Sequence, residues 1–416
     1  MKNILLLILV LISFNLKAAH ILIPMDNTQR NHLKAYGIAY YVLTYDVEVS
    51  WLLNYRGGSF MFDHHQQFEN ECIVRDISYQ VISETQAAGI LQYISSPSVN
   101  MEVVKLHKAP RIAVYIPPLT QPWNDAVTLA LTYAEIPYDI IYNEEIIKGV
   151  LPMYDWLHLH HEDFTGQFGK FYAAYRNAPW YQQEERILNE MADRLGFGTV
   201  SQLKLAVAKN IQEFVAGGGY LFAMCSAPES LDIALAAEGV DIVEAMFDGD
   251  PADPNAQENL DFSRTFAFHN FQLVMNPYEY AKSSIDVPKT GRNQALDHFT
   301  LFEFSAKWDP VPTMLNQNHE TIIEGFMGQS TAFRRETIKP TVVILGENKA
   351  WGEARYIHGT FGKGTFTFFG GHDPEDYKHF VGDPPTNLNL HPNSPGYRLI
   401  LNNVLFPAAR KKKQKT

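Results

Sequence analysis

Residues 211–232 read IQEFVAGGGYLFAMCSAPESLD. The stretch opens as the end of a helix, stopped at Gly217, Gly218 and Gly219 because glycine alone takes left-handed backbone angles without steric cost. Residues 220–224 are a short apolar run, the mark of a central parallel strand covered on both faces. Cys225 follows where that strand ends. Ser226 and Glu229 have capping-box spacing and Pro228 suits a first helical turn, so a new helix is expected there. The thiol would then stand at a helix N-terminus, where backbone N–H groups and the dipole favour thiolate. Ala223 and Ala227 are small enough for the close strand–helix contact of a nucleophile elbow.

Upstream, residues 111–116 read as a strand, 124–134 as a helix and 138–142 as a strand. Residues 156–163, WLHLHHED, are a strand running into a polar cluster. Alternation sets His158 and His160 on one face, with His161, Glu162 and Asp163 beyond the strand end. Such imidazoles and carboxylates are zinc or iron ligands by type, although the spacing is no recognised signature and a second strand would have to contribute. The competing reading is a polar rim or a hydrogen-bonded core histidine. Residues 164–198, passing into a helix at 181–195, suit a lid beside the site.

Nearer the start, residues 20–24, 31–43 and 47–53 follow in strand–helix–strand order, an expected βαβ unit. Residues 54–59 read as a plain turn. Downstream, 262–336 is irregular, part of an expected insertion over the strand ends at about 245–340. Strands are expected at 341–345, 354–359 and 364–369, with 362–364 as a hairpin turn. The last strand runs into Gly370-Gly371-His372-Asp373-Pro374-Glu375, and a final helix is expected at 396–405.

The run FVAGGGYLFAMCSA resembles the elbow region of class I glutamine amidotransferase-like domains, nearest to ThuA-like proteins and to N-terminal domains related to biotin-protein ligase. The run GKGTFTFFGGHDPEDY is similar to the C-terminal strand of ThuA-like proteins, where a Gly-Lys-Gly turn leads to Gly-His-Asp. Two departures stand out: alanines replace the glycines of Gly-x-Cys-x-Gly, and the glutamate of a His-x-Glu pair comes one residue late, at Glu375. The resemblance implies an α/β fold with an open, mostly parallel, flavodoxin-like sheet over residues 109–406, carrying an N-terminal βαβ extension at 20–108. It implies acyl transfer on an amide or ester, with Cys225 as nucleophile, His372 as base and Asp373 or Glu375 orienting it. His160, His161, Glu162 and Ser226 would line the substrate. A ThuA-like relationship implies instead a carbohydrate-binding or metal-assisted protein without thiol catalysis; an inactive envelope scaffold is a third reading. An asparagine synthetase of the B type, which chains of this look invite, is not supported. No cysteine lies near Ala19 or His20 to form a mature N-terminus, and no Ser-Gly-Gly-x-Asp-Ser loop occurs.

Lys2, the apolar run 4–12 and Ala18-Ala19 read as a signal peptide over residues 1–19, predicting an exported, periplasmic or secreted protein. No later stretch is apolar enough to span a membrane. The net charge of −12 becomes −14 once Lys2 and Lys17 are removed, and five of the remaining cations fall in the tail at 407–416. An acidic body of this kind excludes nucleic acid as a partner and leaves a small molecule or glycan as ligand. No cofactor is required by the motifs, zinc or iron at His158, His160 and His161 excepted. Two cysteines, Cys72 and Cys225, would pair in an oxidising compartment unless the fold keeps them apart.

Overall fold

Five short strands form the first sheet: β1 (His20–Ile23), β2 (Val49–Leu53), β3 (Ser59–Asp63), β4 (Gln80–Ile82) and β5 (Glu102–Leu106). Their order is β4-β1-β3-β2-β5, every pair antiparallel. The second sheet is built from β6 (Ile112–Tyr115), β7 (Asp139–Ile141), β8 (Trp156–Leu159), β9 (Tyr220–Met224), β10 (His298–Leu301), β11 (Ile322–Glu324), β12 (Phe333–Arg334), β13 (Val343–Asn348), β14 (Glu353–Phe361) and β15 (Gly364–Phe369). Its order is β11-β10-β13-β14-β15-β9-β8-β6-β7, with β12 on β14. This computed structural model describes residues 19–118, 125–316, 320–380 and 382–409. The expected signal peptide, apart from Ala19, and most of the expected basic tail lie outside them.

The expected open, mostly parallel, flavodoxin-like sheet is therefore corrected. Only β7, β6, β8, β9 and β15 run parallel. Strands β10 to β14 join antiparallel, three of them from the irregular segment at 245–340. The N-terminal βαβ unit is corrected too: β1 and β2 share a direction, but β3 lies between them, antiparallel to both. Backbone chirality supplies the reason. Asn54, Arg56, Gly57 and Gly58 all take positive φ, which folds β3 straight back on β2. At the second reversal Gly362 (φ 60°) turns β14 into β15, pairing Phe361 with Gly364.

Strand β9 shows how the layers stack. Leu221 and Ala223 face a core with the helices Pro179–Leu195, Val200–Gly217 and Ala227–Ala236, while Phe222 and Met224 face the helices His32–Leu43, Ala126–Tyr133 and Pro395–Leu405. The same middle helices cover Ile21 and Ile23 of β1, and Leu22 packs on the far side against Ala87 and Ile94 of the Glu84–Ser95 helix. The chain is thus a helix–sheet–helix–sheet–helix stack. Burying each large apolar side chain contributes about 1.5–3 kcal/mol. Helix starts follow local chemistry: Asn31 accepts from the Lys34 N–H at 2.9 Å, and Asp125 from Val127 and Thr128 at 2.7 and 3.1 Å. The middle layer is tight at Gly37, where an added Cβ would meet the Ala134 carbonyl at 1.8 Å.

One consequence is acid sensitivity. His358 of β14 is buried, its Nδ1 2.9 Å from Thr367 Oγ1, and burial lowers its pKa to about 4. An unfolded histidine titrates near 6.5, so below that pH the unfolded chain binds the extra proton and stability falls. From this residue the loss is about 1.4 kcal/mol per pH unit until the folded value is reached. Thermal melts are expected to drop more steeply below about pH 6.5 for the wild type than for His358→Gln. Parallel slopes would remove His358 as the cause.

Candidate functional site

The turn after β9 is a strained elbow. Cys225 holds φ 54°, a left-handed conformation that costs about 1–3 kcal/mol for a non-glycine residue. Two backbone bonds hold it: the Cys225 N–H donates to the Gly371 carbonyl at 3.1 Å, and the Ala227 N–H to the His160 carbonyl at 3.0 Å. The elbow therefore ties the ends of β8 and β15 together. The Cys225 sulfur is buried and accepts the Gln329 N–H at 3.2 Å. Burial pushes the thiol up, opposed by the N–H groups of Gln329, Ser330 and Ser226 and by the Lys289 cation. Cys72, buried on the Gln66–Val74 helix, is pushed up to about 12. Both cysteines are free thiols, which closes the disulfide alternative. The capping box is corrected: the Ser226 side chain makes no cap bond, and Glu229 instead accepts from Ser283 Oγ at 2.7 Å and from Ser330 Oγ.

Strand β8 delivers the histidines. His158 is fully buried, with Nδ1 3.1 Å from the Phe222 carbonyl and Nε2 3.2 Å from Asp125. That is a core histidine held by backbone and carboxylate. His160 Nδ1 is also 3.2 Å from Asp125. Burial would raise the Asp125 carboxyl, but His158 and His160 outweigh it and hold it well below the usual range. Asp125 reaches both rings because it caps the Ala126–Tyr133 helix at the edge of β6 and β8.

The third histidine comes from the far strand. Gly370 and Gly371 lead out of β15, and Gly371 takes φ 96° where a Cβ would lie 2.4 Å from the Phe326 ring. The His372 ring stacks on His160, with centroids 4.5 Å apart, and on His379 at the same distance. Imidazole nitrogens of His160, His161 and His372 lie within 4.8 Å of one another. Burial first, then the neighbouring histidines, lowers both His161 and His372 well below the ordinary value. They are neutral at physiological pH, the form that binds metal.

The other expected site residues disperse. The Asp373 carboxylate accepts the Glu375 N–H at 2.9 Å, and Glu375 pairs with His391 Nδ1 at 2.9 Å. Among the described residues neither carboxylate bonds the His372 ring, which packs on His160, His161 and His379. Glu162 points into the layer below, 3.5 Å from Lys204, which also donates to Tyr115 and Tyr142. Ser226 is buried, its hydroxyl 3.5 Å from the Glu162 carbonyl. Asp163 pins the following loop by accepting from Thr165 and Gly169. Asp125, Gln329 and His379 escaped the sequence reading. Asp125 had a usable signal as an aspartate opening an apolar helix, and His379 as a second imidazole seven residues beyond His372.

The donor set suits a transition metal. His160 Nε2 is buried and has no hydrogen-bond partner among the described residues, and His379 Nε2 is in the same state. Three imidazoles at the ends of two strands, with a carboxylate behind one of them, match the ligand chemistry of zinc or iron.

No family model matches the chain, and no curated protein matches it. Among solved structures, it is similar to a cytoplasmic protein from Salmonella typhimurium, with 10% identity and a TM-score of 0.34 over 73% of this chain and 100% of that one. It is also similar to an exo-β-1,4-mannosidase from Opitutaceae bacterium strain TAV5, with 12% identity and a TM-score of 0.27 over 62% of this chain and 31% of that one. A β-galactosidase from Bacillus circulans sp. alkalophilus matches with 12% identity and a TM-score of 0.26 over 70% and 32% of the two chains. Likenesses this weak carry no weight for fold or activity.

Proposed function

We propose that His160, His161 and His372 hold a divalent zinc or iron ion, and that the protein is an exported, metal-assisted hydrolase of a small polar or carbohydrate-like ligand. The carrying observation is the convergence of three imidazoles within 4.8 Å at the carboxyl edge of β8 and β15. Such an ion would polarise a ligand oxygen and lower the pKa of bound water. Asp125, 3.2 Å from His160 Nδ1, orients that ring, the usual task of a carboxylate behind a metal-bound histidine. An aromatic cluster supports a ligand with apolar faces: Phe171 packs on Tyr280 and Tyr172 on Tyr278, and both of these tyrosines are exposed. The Gly-Lys-Gly to Gly-His-Asp pattern supports kinship with ThuA-like proteins, and the Lys2 and 4–12 pattern supports export. No helix of the described residues is long and apolar enough to cross a membrane. Metal content of the full chain, measured for the wild type and for His372→Ala, tests the reading.

A second reading, thiol hydrolysis, rests on the strained Cys225 turn and the N–H group at its sulfur. Iodoacetamide is expected to label Cys225 before Cys72 in the native protein, because only the Cys225 sulfur has N–H groups offsetting burial. His372→Ala is expected to leave the Cys225 rate within about twofold. A slowing of about tenfold or more would restore His372 as the thiol's partner and favour this second reading.

A further inference from the structure

Away from the histidine cluster, a cavity of about 560 Å³ opens between the Pro395–Leu405 helix, β11 and the 374–375 loop. Its floor is Arg398 and His32, only 1% and 2% exposed; its rim includes the exposed Glu320 and Glu324 and the half-buried Glu375. Arg398 is the anomaly. Its Nη2 donates to the Gly57 carbonyl at 2.9 Å, while Nε and Nη1 are buried without an acceptor among the described residues. No carboxylate pairs with it among those residues. A buried guanidinium is ordinarily paired, because leaving the charge and its donors unmatched is costly. The Nη2 hydrogen not used by Gly57 completes one edge of the planar group with either Nε–H or Nη1–H, and that edge matches a carboxylate.

His32 adds the second half of the pattern. Its Nε2 lies 3.1 Å from the Asp26 carbonyl and must carry the proton, so Nδ1, which has no hydrogen-bond partner among the described residues, presents a lone pair. The floor therefore offers a fork of donors beside one acceptor, and the rim offers negative charge. A dianion such as phosphate would meet three glutamates; a bare cation would meet Arg398.

We propose that this cavity binds a free α-amino acid or similarly small zwitterion, its carboxylate on Arg398 and its ammonium toward His32 and the acidic rim. The volume falls within the range of small-molecule sites. The cavity lining shares no residue with the histidine cluster, so each proposal has its own test.

Thermal shift and calorimetry on the full chain with a panel of free L-α-amino acids test it, each compared with its N-acetyl and its amide derivative and with inorganic phosphate. At least one free amino acid is expected to bind, with about tenfold to hundredfold loss for either derivative. Arg398→Met is expected to abolish binding. Should that variant fail to fold by circular dichroism, Arg398→Lys keeps the charge, loses the fork and is expected to weaken binding by about tenfold. No binding by any member of the panel overturns the proposal. So does equal binding of an N-acetyl derivative, tighter binding of phosphate, or wild-type affinity in folded Arg398→Met.

Discussion

Elemental analysis of the native protein is expected to return about one zinc or iron per chain. His372→Ala, and separately His160→Ala, should lower that affinity by about 100-fold or more, since removing even an outer partner of a metal ligand costs 10- to 100-fold. His372 is the more informative site. It comes from β15 whereas His160 and His161 follow β8, so its removal dissolves the cluster without touching β8. Asp125→Asn should cost less, about tenfold, because it acts through His160. Metal release with unchanged Cys225 labelling supports the metal reading. A metal-free wild type, or full occupancy in His372→Ala, would sink it.

The largest stability effect is expected at Arg355. This side chain is fully buried on β14, with Nη2 2.6 Å from Asp297 Oδ1, Nε 3.2 Å from Glu353 and Nη1 2.8 Å from the Phe326 carbonyl. Arg292 closes the network from the other side onto Asp297 and Glu353. Arg355→Met would leave a buried carboxylate short of its partner, at a cost of about 3–5 kcal/mol. The Arg355→Met, Asp297→Leu double variant should recover part of that loss, since removing both charges is less costly than stranding one. Denaturant melts decide it; a single variant within about 1 kcal/mol of wild type would show that water repays the missing charge. The site should respond as well. The same guanidinium holds Phe326 in the loop that brings Gln329 to Cys225, so Arg355→Met should also speed Cys225 labelling.

Local chemistry in the sequence determined a good deal. The glycine stop at 217–219, the apolar strand at 220–224 and the following helix stand as read, because helix termination and a fully buried strand are written in neighbouring residues. The alternation that sets His158 in β8 and His160 just past its end on one side, both toward Asp125, was equally legible, as was the hairpin at 362–364. Strand direction was not, because an apolar run shows burial and is silent about which neighbour it pairs with. Hence β3 between β1 and β2, and the antiparallel half of the second sheet, emerged only in three dimensions. The destination of each polar side chain was also a tertiary matter. Two glycines in the left- or right-handed basin decide where a loop points, and in this chain Gly371 turns His372 onto His160 while Glu375, three residues on, goes to His391. Residue types and their order name the chemistry available; only the placing of β9 between β8 and β15 decides which groups meet, since those pairings join Trp156 to Tyr220 and Tyr220 to Thr365 and no local pattern encodes them.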